Sequence, residues 1–438
     1  MDNVDRIIID GLFGHTRFDI SFKNNVFILI GENGSGKTTV LNIIYLILSG
    51  RVVSLIKYDF TKVTLVYGLE SIVIEKNQMY MMVDRMFHSR FFRYMQNDTS
   101  NEQLLDTIEK TLSADIEDDQ LFLSLSRKYP ISPSMLRTEL KEILNRKELK
   151  DIYSKLSRIK QNNANSIVYL PTYRRIEEEL EGLNIEKDKI YKQLQNTLIR
   201  FGMEDVTERY VFHTNTIKKL AMEGFNTVTG QMISKLATKI PKSIYKNKKI
   251  VNVDTVKTIF NRIGNSIKDT DKKKVINLIE TEHLFDGEHD YLFYFIIKLI
   301  EAYSEQKKIE DRIKEYCQVC NKYLWNKQVI YDEQSVDIFI SEKSRLSKKI
   351  DLSRMSSGEK QILYLFSRVY LEDKTNMFIL YDEPELSLSI DWQKMIIPDI
   401  INSKNCARLL VTTHSPFIFE NEYDQYARSI LEFYKDEK

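Results

Sequence analysis

Two hydrophobic periodicities divide the chain. Near its start, Ile7-Ile8-Ile9 and Val26-Phe27-Ile28-Leu29-Ile30 are short β-rich runs, set apart by turn signals at Gly11, Gly14 and Asn24-Asn25, and read as strands. Beyond Gly31–Thr39, the apolar residues Val40, Leu41, Ile43, Ile44 and Leu48 recur at helical spacing, and Gly50 supplies a stop. β-like segments follow at Lys62–Tyr67 and Ser71–Ile74, then mostly helical text from about Tyr80 to Gln161, and a strand returns at Ser166–Leu170. From Arg174 to Trp325 the pattern is helical again. One seam runs through Ile176, Leu180, Leu183, Ile190, Leu194 and Leu198, and a second through Ile296, Leu299, Ile300, Tyr303, Ile309, Ile313 and Tyr316. The two are spaced to pair as a short antiparallel coiled coil or to belong to a compact helical lobe. In the final third, Met377–Tyr381 and Arg408–Thr412 are apolar runs suited to buried parallel strands.

These elements predict an α/β fold, a mixed sheet with flanking helices interrupted by a large helical insertion. The expected divisions are 1–75 and 331–438 for the two lobes of the head, 76–165 for a mostly helical segment, 166–175 for a strand returning to the head, and 176–330 for the insertion. With 438 residues, 42% of them hydrophobic and 11% aromatic, a sizeable core is expected. The formal charge of +1 announces neither a nucleic-acid nor a membrane partner for the surface as a whole. Cys317, Cys320 and Cys406 are too few and too odd a set for a disulfide framework. The first residues lack the basic-then-apolar order of a signal peptide, and the greasiest stretch, Tyr291–Ile300, is short and broken by Lys298. A cytoplasmic protein without membrane association is expected.

The chemistry concentrates in four places. Gly31-Glu32-Asn33-Gly34-Ser35-Gly36-Lys37-Thr38 has the full P-loop spacing between a predicted strand and a predicted helix, the context that gives the motif meaning. Its glycines let the backbone curl around phosphates, and the N–H groups through Thr39 supply fixed positive dipoles at a helix start. Lys37 is expected to reach the β- and γ-phosphates of ATP, and the Thr38 hydroxyl to ligate Mg2+. The apolar strand Met377–Tyr381 ends in Asp382-Glu383, a pattern in which Asp382 serves the metal and Glu383 polarises the attacking water. Ser356-Ser357-Gly358-Glu359-Lys360-Gln361 precedes the helical run Ile362–Tyr370, offering hydroxyls and N–H groups to an anion, although Glu359 can equally close a capping box. His414, in Val411–Pro416 at the end of the last strand, is placed to hydrogen-bond a γ-phosphate.

In this order, P-loop, signature helix, acidic strand and switch histidine resemble the ABC-type ATPase head. Ser356–Gln361, Asp382–Ser387, Trp392-Gln393 and Thr413-His414-Ser415-Pro416 look like the vocabulary of RecF/OLD-like AAA ATPases. Within that class the chain is most similar to ATPase subunits of two-gene phage-defence systems such as PARIS (AriA), Septu and the retron-associated ATPases. The resemblance implies a homodimer or higher homo-oligomer, in which Ser356, Ser357, Gly358 and Glu359 of one protomer cap ATP on the P-loop of another. It also implies a separate nuclease-like effector, since the stretch after His414 is expected to be too short for an attached TOPRIM domain. The sequence departs from related heads at Ser357, where transporters usually carry glycine, and at Glu359, where they often carry glutamine. Thr172-Tyr173-Arg174 replaces a Q-loop glutamine, and Ser389 stands where many relatives have histidine.

Weaker signals lie elsewhere. Lys242, Lys246, Lys248, Lys249, Lys257, Arg262, Lys268 and Lys272–Lys274 face only Asp254, Asp269 and Asp271, either as a site for DNA or an acidic protein trigger or as a solvated face. Cys317 with Cys320, and His283 and His289 among acids, are metal candidates short of ligands. The acidic run Asp115–Asp119 reads as solvent-facing. The alternatives to a defence ATPase are a RecF-like or SMC-like DNA-repair ATPase and a nucleotide-gated scaffold with very slow turnover.

Overall fold

The computed structural model describes residues 4–89, 92–93, 107–109, 111, 123, 125–127, 132–144, 147–162, 167–171, 203–237, 240, 244 and 248–436. Its contacts divide the chain into two units, Met1–Arg200 with Asp373–Lys438, and Phe201–Glu372. The first unit opens with β1 (Arg6–Leu12), β2 (Thr16–Ser21), β3 (Val26–Ile30), α1 (Lys37–Leu48), α2 (Val52–Leu55), β4 (Lys62–Tyr67) and β5 (Glu70–Glu75). It continues through α3 (Lys76–Phe87), α4 (Pro133–Leu144), α5 (Lys147–Asn162) and β6 (Ile167–Leu170). The second unit holds α6 (Met203–Leu236), α7 (Val253–Ile263), α8 (Asp269–Glu280), α9 (Asp290–Tyr323), β7 (Lys327–Asp332), β8 (Asp337–Glu342), β9 (Arg345–Ile350) and α10 (Ser357–Tyr370). The chain then returns to the first unit with β10 (Met377–Asp382), α11 (Ile390–Ile401), β11 (Cys406–Thr413), β12 (Ala427–Ser429) and β13 (Tyr434–Asp436).

In the first unit, a parallel sheet of order β12-β3-β11-β10-β6 is built from the apolar runs. Every residue of β10 is buried, which is why it reads as an unbroken hydrophobic word. The register sets Asp382 beside Thr412 and Thr413 beside Ile30, so the carboxyl ends of β10, β11 and β3 line up. That end is where open α/β sheets bind ligands. An antiparallel sheet of order β13-β2-β1-β4-β5 lies in the same unit. One core joins Ile7, Ile9, Phe18 and Ile20 of that sheet, Val40, Leu41 and Ile44 of α1, and Leu380 and Leu410 of the parallel sheet. β2 is absent from the expectation because only Phe18 and Ile20 mark its inner face, while Arg17 and Asp19 alternate with them.

The second unit is mostly helical, with a small antiparallel sheet of order β7-β8-β9 that hydrophobic runs alone do not announce. Helices α6 and α9, 34 residues each, extend about 50 Å at helical rise. They run antiparallel. The Tyr210 and Tyr316 hydroxyls meet at 2.5 Å, and a Cβ on Gly224 would stand 3.1 Å from that of Ala302. The expected seam from Ile296 to Tyr316 lies on α9, with Ile296, Leu299, Tyr303, Ile313 and Tyr316 buried, and its partner is α6. The expected seam from Ile176 to Leu198 lies outside the described residues, as do Thr172–Arg174 and Asp115–Asp119.

Candidate nucleotide site

The loop after β3 turns on Gly34 and Gly36, both left-handed at φ near +85° and +87°. A Cβ on Gly36 would press within 2.7 Å of the Phe13 ring, and one on Gly31 within 2.5 Å of the Ser35 hydroxyl. Helix α1 starts at Lys37 with no side-chain cap, which leaves its first N–H groups for an anion to satisfy. The Lys37 ammonium folds back over the loop and donates to the carbonyls of Gly31 (2.7 Å) and Glu32 (2.9 Å). Ser35 Oγ is buried with no hydrogen-bond partner, an orphaned polar atom within the cradle. Glu32, Asn33 and Gly34 are exposed at the tip, and Thr39 is half-buried in the first turn of α1.

The acidic strand closes on this loop. Asp382, 1% exposed, accepts the Thr412 hydroxyl at 2.6 Å and the Thr38 hydroxyl at 3.2 Å. Glu383 follows in a left-handed backbone, φ +46°, with its N–H donating to the Thr412 carbonyl at 2.9 Å. For a glutamate that conformation is strained, and strain of this kind gathers at functional sites. Burial raises the Glu383 carboxyl above its ordinary range, and the charges of Asp382 and Glu385 add to the effect; Lys37 and His414 offset part of it.

Glu385 ties the acidic loop to the last strand. Its Oε1 accepts the backbone N–H of His414 at 2.8 Å and lies 2.9 Å from His414 Nδ1. Its Oε2 is buried without a hydrogen-bond partner. Gln393 on α11 donates to the Leu388 carbonyl at 3.0 Å and accepts the Ser415 hydroxyl at 2.7 Å, a second stitch between the same two loops. Sequence reasoning passed over Glu385 as a partner of His414. It stands two residues after Glu383, but spacing along the chain does not reveal that its side chain turns back to another strand. Ser389 caps α11 by accepting the Trp392 N–H.

In the second unit, the start of α10 adopts the capping-box arrangement. Ser356 Oγ accepts the Glu359 N–H, and Glu359 accepts the Ser356 N–H at 2.8 Å. Lys327 adds an ion pair to Glu359 at 2.8 Å. Burial works against that carboxylate, yet Lys327 and Ser356 together outweigh it and hold its pKa below the usual range. Ser356 and Ser357 remain exposed, whereas Gly358 is buried.

Several side chains of the weaker candidates are held by neighbours within the fold. Among the described residues no group of three or more His, Cys, Asp and Glu side chains is arranged to hold a metal. Burial pushes the Cys317 thiol up to about 12. Of the basic stretch, Lys242 and Lys246 lie outside the described residues. Lys248 pairs with Glu282, Lys257 with Glu280, Lys272 with Asp269 and Lys274 with Asp271. Arg262 is not on the surface at all; its side chain is 2% exposed and is paired with Glu310. No helix among the described residues is long and apolar enough to cross a membrane.

A family model for the AAA ATPase domain matches residues 3–419. The chain belongs to the AAA ATPase domain family. This AAA ATPase is also similar to a solved SMC head bound to the C-winged helix domain of ScpA, at 11% identity over 95% of this chain and 90% of that one, with a TM-score of 0.34. A second is the Pyrococcus furiosus SMC head with an extended coiled coil, bound to the C-terminal domain of ScpA, at 14% identity over 96% and 91%, with a TM-score of 0.33. No curated protein matches this AAA ATPase.

Proposed function

We propose that this AAA ATPase binds ATP with Mg2+ on the loop Gly31–Thr39 and hydrolyses it as an ABC-type head that works in pairs. The meeting of Thr38 and Asp382 at 3.2 Å, from positions 344 residues apart, supports this most directly. A hydroxyl and a carboxylate side by side fit the oxygen preference of Mg2+, and the buried Ser35 hydroxyl and uncapped helix start fit a phosphate. Mg2+ bound by Thr38 and Asp382 would neutralise charge on the phosphates. Lys37 exchanges its loop carbonyls for β- and γ-phosphate oxygens. Glu383 accepts the proton of the attacking water, and its raised pKa moves it toward the range where a general base is effective. Glu385 holds His414 by Nδ1, so Nε2 is the ring atom that meets the γ-phosphate. Exposed Ser356 and Ser357, with Gly358 and Glu359, suit capping of a nucleotide on a sister molecule, making a homodimer the smallest active unit.

The biological role we propose is that of a sensor or regulator of a separate, nuclease-like effector in phage defence. It rests on the motif words at 356–361, 382–387 and 413–416. Lys248, Lys257, Lys272 and Lys274 are paired with carboxylates, which supports a solvated face over direct DNA binding.

Calorimetry should find no ATP binding by Lys37→Ala. Glu383→Gln should bind ATP, fail to hydrolyse it and accumulate as a dimer in light scattering. Wild-type hydrolysis and self-association in both variants would refute the proposed chemistry. Tagged Glu383→Gln, isolated with ATP from cells carrying its native operon, should bring down a nuclease-like protein; recovery of replication proteins and DNA alone would overturn the defence role.

A further inference from the structure

We infer that the segment from Ala427 to Asp436 is a structural part of the nucleotide site, and that Tyr434 is a positioning residue that aims a P-loop N–H at the phosphate. The inference rests on the proposed ATP site. It concerns residues beyond the 3–419 matched by the family, so the family resemblance does not supply it.

The segment grips the loop from two sheets. β12 joins β3 in parallel and sets Ser429 beside Ile30, the residue before Gly31. Ile430 follows, fully buried, with a methyl 2.9 Å from where a Cβ on Gly31 would stand. The chain then turns to β13, which pairs antiparallel with β2 and places Tyr434 opposite Phe18. Phe18 packs edge-on against the Tyr434 ring at 5.7 Å, and Lys435 pairs with Asp19 at 3.3 Å. With its backbone in one ladder and its ring against another side chain, Tyr434 has little freedom. Its hydroxyl donates to the Ser35 carbonyl at 2.8 Å.

That bond fixes one peptide plane. The Ser35–Gly36 peptide is planar and trans, so its carbonyl and its N–H point to opposite sides. Holding the Ser35 carbonyl on Tyr434 turns the Gly36 N–H away from the segment, toward the side left for a phosphate. A carbonyl that accepts a hydrogen bond also makes the N–H of its own peptide a better donor. Gly36, left-handed and hemmed by Phe13 and Tyr434, does not accept a side chain that could do this work from within the loop. Burial pushes the Tyr434 phenol up to about 12, so the hydroxyl remains a neutral donor through the working pH range.

Tyr434→Phe removes one oxygen and keeps the ring. Its KM and dissociation constant for ATP should rise about fivefold, the worth of one ordinary hydrogen bond, with kcat changed much less and the melting temperature without nucleotide close to wild type. Ile430→Val, which trims the packing beside Gly31 but keeps the hydroxyl, should raise the dissociation constant for ATP less than Tyr434→Phe does. ATP affinity unchanged in Tyr434→Phe, while wild type binds ATP, would overturn this inference alone. A wild-type protein that binds no ATP would overturn the parent reading, and this one with it.

Discussion

Replacing Thr412 with valine removes a hydroxyl that meets the acidic strand at Asp382 and, at 3.4 Å, at the Tyr381 carbonyl. The two side chains have the same shape, and Thr412 is fully buried, so the change deletes a hydroxyl without opening the packing. That hydroxyl donates to Asp382 at 2.6 Å, and the Thr38 hydroxyl donates to it at 3.2 Å. Asp382 is itself 1% exposed, so water does not replace the lost partner at once. A hydrogen bond to a charged group contributes about 1.5–3 kcal/mol, and loss of the shorter of these two bonds should cost about 2 kcal/mol. In urea, with a slope of about 2 kcal/mol per molar, the midpoint of the first unit should fall by about 1 M. The assay is a urea titration followed by circular dichroism without nucleotide, repeated in an Asp382→Asn background. Because the two groups touch, the pair of substitutions should be less damaging than the sum of the single ones. The carboxylate is also less firmly placed against Thr38, so kcat/KM for ATP should fall in Thr412→Val. An unchanged midpoint, or strict additivity with Asp382→Asn, would refute the reasoning.

Two further outcomes are expected. The Glu310 carboxylate receives Arg262 and the hydroxyls of Tyr303 (2.7 Å) and Tyr331 (2.6 Å), all within the second unit. Glu310→Gln leaves a buried guanidinium without its counter-charge and should cost about 3–5 kcal/mol in a urea melt, most of it recovered by adding Arg262→Met. Recovery of nothing by the second change would show that the charge pairing is not the cause. The Glu383 carboxyl is raised in the folded protein by burial and by Asp382 and Glu385. Its contribution to stability is therefore fullest below the unfolded carboxyl pKa and is lost as pH rises through the higher folded value. Glu383→Gln without nucleotide should melt above wild type at neutral pH, and the gap should close on acidification; a pH-independent gap would contradict this assignment.

The parts of the fold that sequence made legible are those in which a short word carries its own context. Val26–Ile30 followed by the P-loop and the helical spacing of Val40–Leu48 leaves one arrangement, and the structure has β3, the loop and α1 there. The apolar run ahead of Asp382 is β10, extended by one residue to include the carboxylate itself. What was hidden depends on partners far along the chain. β2 alternates the charged Arg17 and Asp19 with Phe18 and Ile20 and becomes a strand through its pairing with β1. Arg262 sits among lysines in sequence, yet α7 turns it inward onto Glu310, a fact set by which face of the helix packs. Glu385 and Tyr434 carry no motif of their own; each matters through one bond, to His414 and to the Ser35 carbonyl.

The ladder between β10 and β11 works as a ruler. Asp382 stands opposite Thr412, and the next rung pairs Thr413 with Ile30 at the mouth of the loop. Side chains in a strand alternate between faces, so removing or adding one residue within 406–413 would send the Thr412 hydroxyl to the opposite side and put Val411 or Thr413 in its place. The turns outside the strands, such as 372–376, are free of that constraint. Length variation among relatives should therefore gather in those turns, and lineages that keep the acid pair should keep the spacing from Asp382 to the end of β10 and from Thr412 to His414 residue for residue.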